Sequence, residues 1–230
     1  MNDNTTIIII TRNNYKHIEI TIKKLKDYMT KYRNIQQTII IDNNSNDGTN
    51  LLLKEQSPNN FLFIINNKTQ SDKNLLLKAL ELSQTQNIIL IEPELYTRLH
   101  QIQRQIKKLR KTHLLLPSRF RDKSKVTFKN KHEEFNIKRK NYFINLLTDI
   151  NIEDVTNKNK AFKKDVLTKI IKKTKTNDMY WIETVKTCQN KGIKITQCKT
   201  HHIQEEKPRK DNLIIFFRLI KELMLIKKKK

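Results

Sequence analysis

The chain has 230 residues, 47 of them Lys or Arg against 23 Asp or Glu, for a formal net charge of +24. That length suits one α/β domain, or one domain with a short appendage, and the recurring Ile and Leu blocks exclude a disordered chain. Only two glycines occur, Gly48 and Gly192, which excludes a glycine-rich nucleotide loop, so any phosphate site has to be built another way.

In chain order, residues 7–10 form a continuous apolar run of strand length, as in a buried parallel strand. A helix is expected next, with Ile18, Ile22, Leu25, Met29 and Tyr32 on one face. Residues 38–41 are a second buried strand, ending at Asp42, and 43–49 are a polar loop. Residues 50–55 begin a short helix, 61–65 are a third strand, and 73–83 a further helix. A fourth strand, 87–91, ends at Glu92-Pro93-Glu94. Leu95, Leu99, Ile102, Ile106 and Leu109 then repeat at helical spacing, and 114–116 are a short fifth strand. Alternation of this kind predicts a mostly parallel sheet with helices on both faces. Ligands of such sheets bind outside the carboxyl ends of the strands. The polar clusters at 11–14, 42–43 and 92–94 should therefore converge on one edge.

The second half is less regular. Residues 121–140 are strongly basic and are read as a loop running into a helix over 135–147. Residues 154–162 are a polar connection. A helix carrying Val166, Leu167, Ile170 and Ile171 inward follows, then another over 181–190, with Gly192 placed to end it. Ile193 and Ile195 alternate as a late strand. In the last twenty residues, Leu213, Phe216, Phe217, Ile220, Leu223 and Met224 make one apolar helical stripe among Arg218, Lys221 and a run of four lysines at 227–230. A basic amphipathic helix is suited to a membrane interface, and equally to packing on the domain.

Cys188 and Cys198 form no disulfide framework and are expected to pack as small apolar residues in a reducing compartment. No signal peptide is visible, and no apolar run approaches the length of a spanning helix. The expectation is a cytoplasmic protein, peripheral on the cytosolic face of a membrane if the terminal helix inserts. Coding bias accounts for much of the Lys, Asn and Ile excess, yet the charge still assists binding to anionic lipid. Nucleic acid is not the expected partner, because the lysines are spread along the chain and no recognition motif appears. His201 and His202 are adjacent, so on a strand they point to opposite faces and read as surface residues.

The segment TIIIDNNSNDGT, residues 38–49, resembles the VVVDDGSTDGT signature of glycosyltransferase family two, with Asp42, Ser45, Asp47, Gly48 and Thr49 in register. IIIITRNN resembles that family's VVIPTYNE, with Thr11 and Asn13 retained and Asn14 in place of its Glu. Glu92-Pro93-Glu94 stands where the family carries a metal-binding Asp-x-Asp. LLPSRF resembles the GSR strand end and places Ser118 and Arg119. DVTNKNKAF resembles DxxxGFKxF, matching Asp154, Lys160 and Phe162. YWIETVKTCQNKGIKI resembles a later helix motif, matching Glu183 and Gly192. The last two are typical of the branch that makes polyprenyl-phosphate sugars, and the resemblance covers roughly residues 5–210.

The resemblance implies a GT-A fold over 1–210, with a nucleotide-sugar half at about 1–120 and an acceptor half at about 121–210, followed by the helix at 211–230. It implies an inverting, metal-dependent hexosyltransferase using a UDP- or GDP-sugar, with a polyprenyl phosphate as acceptor. It assigns Thr11, Asn13, Asn14, Asp42, Asn43, Ser45 and Glu92 to the nucleotide-sugar. Glu92 and Glu94 would hold Mg²⁺ or Mn²⁺, and Arg119, Lys160 and Glu183 would be catalytic. The residues depart from the family where Asn43 replaces its second Asp, where Glu replaces Asp in the metal motif, and where Lys158-Asn159 replaces Gly-Phe. These departures leave the donor open and keep open an inactive GT-A-fold binding protein; a glycan or protein hydroxyl acceptor is the enzymatic alternative, and it would need a general base. Asp42 read without the resemblance is a turn-capping Asx residue, and Asp47 a residue ordering the turn and next helix start.

Overall fold

In a computed structural model the described residues are 3–56, 59–94, 99–128 and 130–203, with the backbone alone described at 201–203. The first half follows the expected alternation: β1 (Thr5–Thr11), α1 (Tyr15–Lys31), β2 (Ile35–Asn43), α2 (Thr49–Glu55), β3 (Phe61–Asn66), α3 (Asp72–Leu82), β4 (Asn87–Ile91), α4 (His100–Leu109) and β5 (Leu114–Ser118). The second half contains β6 (Lys125–Thr127), α5 (Lys131–Thr148), β7 (Lys160–Lys163), α6 (Lys164–Lys172), α7 (Tyr180–Asn190), β8 (Ile195–Lys199) and β9 (His201–Ile203). Leu95, expected at the head of α4, and the amphipathic stripe at 213–224 lie outside the described residues.

Seven strands form one sheet in the order β3-β2-β1-β4-β7-β5-β8, and β6 pairs with β9 in a separate ribbon. Every pairing in the large sheet is parallel except those of β7, which runs antiparallel to both β4 and β5. Because successive side chains point to opposite faces of a strand, the apolar runs feed two cores. Ile8, Ile39, Ile41, Ile88 and Leu90 pack under α3, α6 and α7. Ile7, Ile9, Ile40, Ile89 and Ile91 pack under α1, α2 and α4. Continuous Ile runs are what a sheet buried on both faces requires.

Two expectations change. The 154–162 connection contains β7, whose short KAFK has too few alternating positions to signal a strand. It forms because Ala161 and Phe162, both fully buried, fill the gap between β4 and β5. The basic stretch after 120 is also more ordered than expected: α5 starts at residue 131, where the Asn130 side chain accepts a hydrogen bond from the Glu133 amide at 2.8 Å. Gly192 has φ +64° and follows α7, as a helix-ending glycine does.

The sheet order fixes the position of the crevice. The chain moves outward from β1 through β2 to β3 and then crosses back to β4, so the order reverses between β1 and β4. Parallel α/β sheets bind ligands at such a switch point, beyond the carboxyl ends of the strands. β7 being antiparallel, its beginning lies at that same edge. The edge therefore gathers residues 11–14, 43–48, 66–71, 92–94, 118–119 and 157–160.

Candidate active site

The first three loops of this edge are locked by side chains. Asp42 is fully buried, and its carboxylate accepts from the amide of Ser45 at 3.0 Å and from the Ser45 hydroxyl. The Ser45 hydroxyl accepts in turn from the Asn13 amide at 2.8 Å, and the Asn13 side-chain oxygen accepts from the Asn46 amide at 3.0 Å. Asn13 holds φ +53°, a left-handed conformation that Asn tolerates better than most residues. The Asn14 amide donates to the Thr49 hydroxyl at 3.2 Å, and its side chain bonds back to Thr11 and Arg12. Thr11, Asn13, Asn14, Asp42 and Ser45 thus form one hydrogen-bonded unit.

Asp47 closes this unit. Its carboxylate accepts from the Tyr15 amide at 3.0 Å and from the hydroxyl and amide of Thr49 at 2.6 and 3.1 Å. Burial pushes its pKa up, but the bonds from Thr49 and Tyr15 outweigh that and hold it below the usual carboxylate range. Gly48, at φ +91°, starts α2, and a Cβ there would meet the Tyr15 ring at 3.4 Å. Position 48 therefore needs glycine chiefly for its backbone conformation.

Asn43 clamps the next loop. It accepts from the Gln70 amide at 2.8 Å and donates to the Gln70 carbonyl at 2.9 Å, an amide-to-peptide pair that continues β2 beyond its last residue. Asn43→Ala is expected to cost about 0.5–1.5 kcal/mol by removing this pair, since Gln70 is exposed and water can meet its backbone groups. Urea unfolding monitored by circular dichroism measures this, and an unchanged midpoint would remove the clamp from the account.

At the β4 end the backbone amide of Glu92 donates to the side-chain oxygen of Asn159 at 2.9 Å. The Glu92 carboxylate lies 3.7 Å from Lys158 Nζ, in a partly exposed pair. Since the Glu92 N–H must meet an oxygen, the orientation of the Asn159 amide is determined and its Nδ2 points away. That Nδ2 is buried and has no hydrogen-bond acceptor among the described residues. Lys158 and Asn159 were not expected as site residues, because the family pattern places Gly-Phe there. A polar pair in that position, directly opposite Glu92 once β7 pairs with β4, was the available signal.

The candidate catalytic residues fall at three different places. Arg119 directs Nε and Nη2 at the two Asp154 oxygens, both at 2.7 Å, and its amide donates to the same carboxylate at 2.9 Å. Nη2 also reaches the Thr156 hydroxyl at 2.9 Å. A planar fork filled by a carboxylate leaves Nη1 alone to meet a phosphate. Burial raises the Asp154 pKa, and the Arg119 guanidinium more than reverses this, holding it below the usual range.

Lys160 is 2% exposed, and its Nζ donates to the carbonyls of Val155 and Asn157 while lying 5.1 Å from the Trp181 ring centre. It therefore sits beneath the edge in the protein interior, not in the open crevice. Burial lowers its pKa to about 7, opposed by the Asp154 charge nearby. Glu183 is also buried, and its carboxylate accepts from the amides of Lys175 and Thr176 and from the Thr176 hydroxyl. Three donors from one loop make Glu183 the anchor of the α6–α7 connection. As placed here, neither Lys160 nor Glu183 presents a free polar atom to a substrate, since burial and hydrogen bonding have consumed both.

Glu92 and Glu94 can be tested as metal ligands by their donor chemistry. Among the described residues no group of three or more His, Cys, Asp or Glu side chains could hold a metal ion. One or two carboxylates nevertheless fit Mg²⁺ or Mn²⁺ when phosphate oxygens supply further ligands. The site suits a cation shared with a bound diphosphate and does not form an all-protein cage.

A doubly wound sheet with its crevice between β1 and β4 and a hydrogen-bonded Asp-x-x-Ser loop beside it is the arrangement of GT-A glycosyltransferases. Residues 6–171 match the model of glycosyl transferase family 2, and the chain belongs to that family. No protein of curated function matches the chain. Glucosyl-3-phosphoglycerate synthase from Mycobacterium tuberculosis, solved with Mn²⁺, UDP and phosphoglyceric acid, superposes with TM-score 0.68 and 12% identity over 98% of this chain and 78% of that one. The mannosyltransferase PcManGT from Pyrobaculum calidifontis, solved with GDP-Man and Mn²⁺, gives TM-score 0.59 and 16% identity over 90% of this chain and 58% of that one. A 4-diphosphocytidyl-2C-methyl-D-erythritol synthase from Anaerococcus prevotii gives TM-score 0.53 and 12% identity over 95% of each chain. At these identities the superpositions show the fold, and the activity class follows from the family: the chain is a glycosyltransferase.

Proposed function

We propose that the protein transfers a hexose, with inversion, from a UDP- or GDP-sugar to a lipid phosphate of the polyprenyl type. The observation that carries the donor half of this reading is the meeting of the hydrogen-bonded Asn13–Asp42–Ser45 loop and the partly exposed Glu92 carboxylate at the carboxyl edge of the sheet, where the strand order reverses. The donor diphosphate would then lie across the carboxyl ends of β1 and β4. Glu92 and Glu94 would hold Mg²⁺ or Mn²⁺ beside the same diphosphate. When bound, the cation neutralises charge that develops on the leaving group. Mn²⁺ or Mg²⁺ accompanies UDP in complexes of the mycobacterial synthase, which supports the same assignment.

The acceptor reading rests on what the edge carboxylates are doing. Asp42 and Asp47 hold loops, Asp154 is paired with Arg119, and Glu183 is saturated by its own loop. A hydroxyl acceptor needs a general base, and these carboxylates are engaged. A lipid phosphate already carries an anionic oxygen and needs none. The basic stripe at 213–224 supports a location at the cytosolic membrane face. The halves at about 1–120 and 121–210 would then bind donor and acceptor respectively.

Calorimetric titration with UDP-glucose and GDP-mannose, with and without Mn²⁺, tests the reading. One donor is expected to bind with Mn²⁺ present, and Glu92→Ala is expected to weaken that Mn²⁺-dependent binding by about tenfold, through loss of a carboxylate ligand. A folded protein that binds neither donor would overturn it. One observation favours a second reading, a GT-A-fold binder without transfer: Lys158 Nζ lies 3.7 Å from the Glu92 carboxylate that would serve the metal. That reading expects donor binding indifferent to Mn²⁺, becoming Mn²⁺-dependent in Lys158→Ala.

A further inference from the structure

Helix α5 has two faces of different character. Asn141, Ile144 and Thr148 are buried, and Asn141 bonds to Asp154 and Thr156, the residues that hold Arg119. Phe135, Tyr142 and Leu146 point the other way and are 62%, 64% and 56% exposed, although each is a large apolar side chain. With Arg139 between them they are spaced 4, 3 and 4 residues apart, one stripe along the helix. The Arg139 guanidinium lies 5.9 Å from the Phe135 ring centre; Lys140 is exposed nearby, and Lys138 is exposed and ion-paired with Glu134 at 2.6 Å, which leaves α5 with four basic and two acidic residues.

We propose that this outward face of α5 is a membrane-contact surface for an anionic bilayer, seating the Arg119 side of the crevice against the lipid headgroups. Aromatic and aliphatic tips between basic side chains are the composition of a helix lying in a bilayer interface, where the rings enter the headgroup boundary and the cations meet phosphate. Charge selects lipid over the other candidate occupants. The segment 204–230 carries nine basic and four acidic residues. It continues from β9, which pairs with β6 just before α5. Docked onto α5 it would bring like charges together, as would a second copy of this chain at net +24. Both basic elements instead complement one anionic surface. This surface deepens the lipid-acceptor reading, but its test reads bilayer contact and not sugar transfer, so either can fail without the other.

The test uses the full chain with Tyr142→Cys carrying an environment-sensitive fluorophore; the native cysteines, Cys188 and Cys198, are both buried. In buffer the probe is expected to emit as in water. With phosphatidylcholine–phosphatidylglycerol vesicles it should shift to the blue, and with phosphatidylcholine alone it should shift far less. The variant Phe135→Ser/Tyr142→Ser/Leu146→Ser should keep its unfolding midpoint and lose about tenfold or more in partitioning to the anionic vesicles by co-sedimentation. In Phe216→Ser/Phe217→Ser the α5 probe should still shift at vesicle saturation. A probe already apolar in buffer would mean that protein covers the face and would overturn the proposal. So would a probe that stays aqueous while the protein sediments with vesicles.

Discussion

Asp154→Ala is expected to destabilise the protein by about 3–5 kcal/mol, because it leaves the Arg119 guanidinium buried without its partner. For a chain of this size that corresponds to a fall in thermal midpoint of roughly 10 °C or more. Three of the bonds at this carboxylate come from Arg119 itself, through Nε, Nη2 and the backbone amide. The Arg119 side chain is 10% exposed and that of Asp154 is fully buried, so water cannot take over either role. The cost should extend beyond the pair. Asn141 and Thr156 share the same carboxylate oxygen, and through Asn141 it locates α5. A double variant, Arg119→Met with Asp154→Leu, should recover much of the loss, since the penalty lies in the unpaired charge and not in the absence of a salt bridge. Differential scanning calorimetry of the three variants measures this. Additive losses in the double variant would mean that the two residues act separately.

Lys160→Met should stabilise the protein at pH 7 and below, by an amount on the order of a few kcal/mol that shrinks as pH rises. Burial lowers the folded-state pKa of Lys160 from 10.5 to about 7. Between these values the unfolded chain binds the proton and the folded chain does not, so this residue makes stability rise with pH. Its cost is fully present below about 7 and gone above about 10.5. Asp154 contributes with the usual carboxylate sign, its stabilisation present at neutral pH and lost only in acid, so the two windows do not overlap. The measurement is the difference in unfolding free energy between wild type and Lys160→Met at several pH values from 6 to about 10.5. A difference that does not change with pH would show that Lys160 titrates normally. Methionine leaves the Val155 and Asn157 carbonyls without the Nζ donor, so at the alkaline end the variant should be the less stable protein.

Much of the first half was legible because its signals are local. Ile runs of strand length bounded by polar clusters admit one reading, and β4 occupies the expected residues 87–91. The loop after β2 was legible in part: Asp47 orders the turn and the start of α2 as expected, but Ser45 and Asp47 also bond the amides of Asn13 and Tyr15, 32 residues away. The second half was harder for a matching reason. β7 is two apolar residues between lysines, and only the gap between β4 and β5 makes it a strand. Arg119 was recognisable as a strand-end residue, but its engagement with Asp154, thirty-five residues later, leaves no mark in local pattern. Glu183 was visible as an acidic residue, but its three donors, the Lys175 and Thr176 amides and the Thr176 hydroxyl, were not.

By itself the sequence determined the alternation of strands and helices, the edge on which the polar clusters meet and the family, because each depends on residue order and short-range periodicity. Tertiary structure alone decided which of those polar groups remain available. Lys160 and Glu183 are consumed by buried partners 3 and 8 residues from them in the chain, and most of Arg119 by Asp154, 35 residues on, whereas Glu92 keeps a partly exposed carboxylate at the edge. The physical reason is that a buried polar group must find a partner wherever the fold supplies one. Identity and spacing show what a side chain can do, and burial decides whether it is still free to do it.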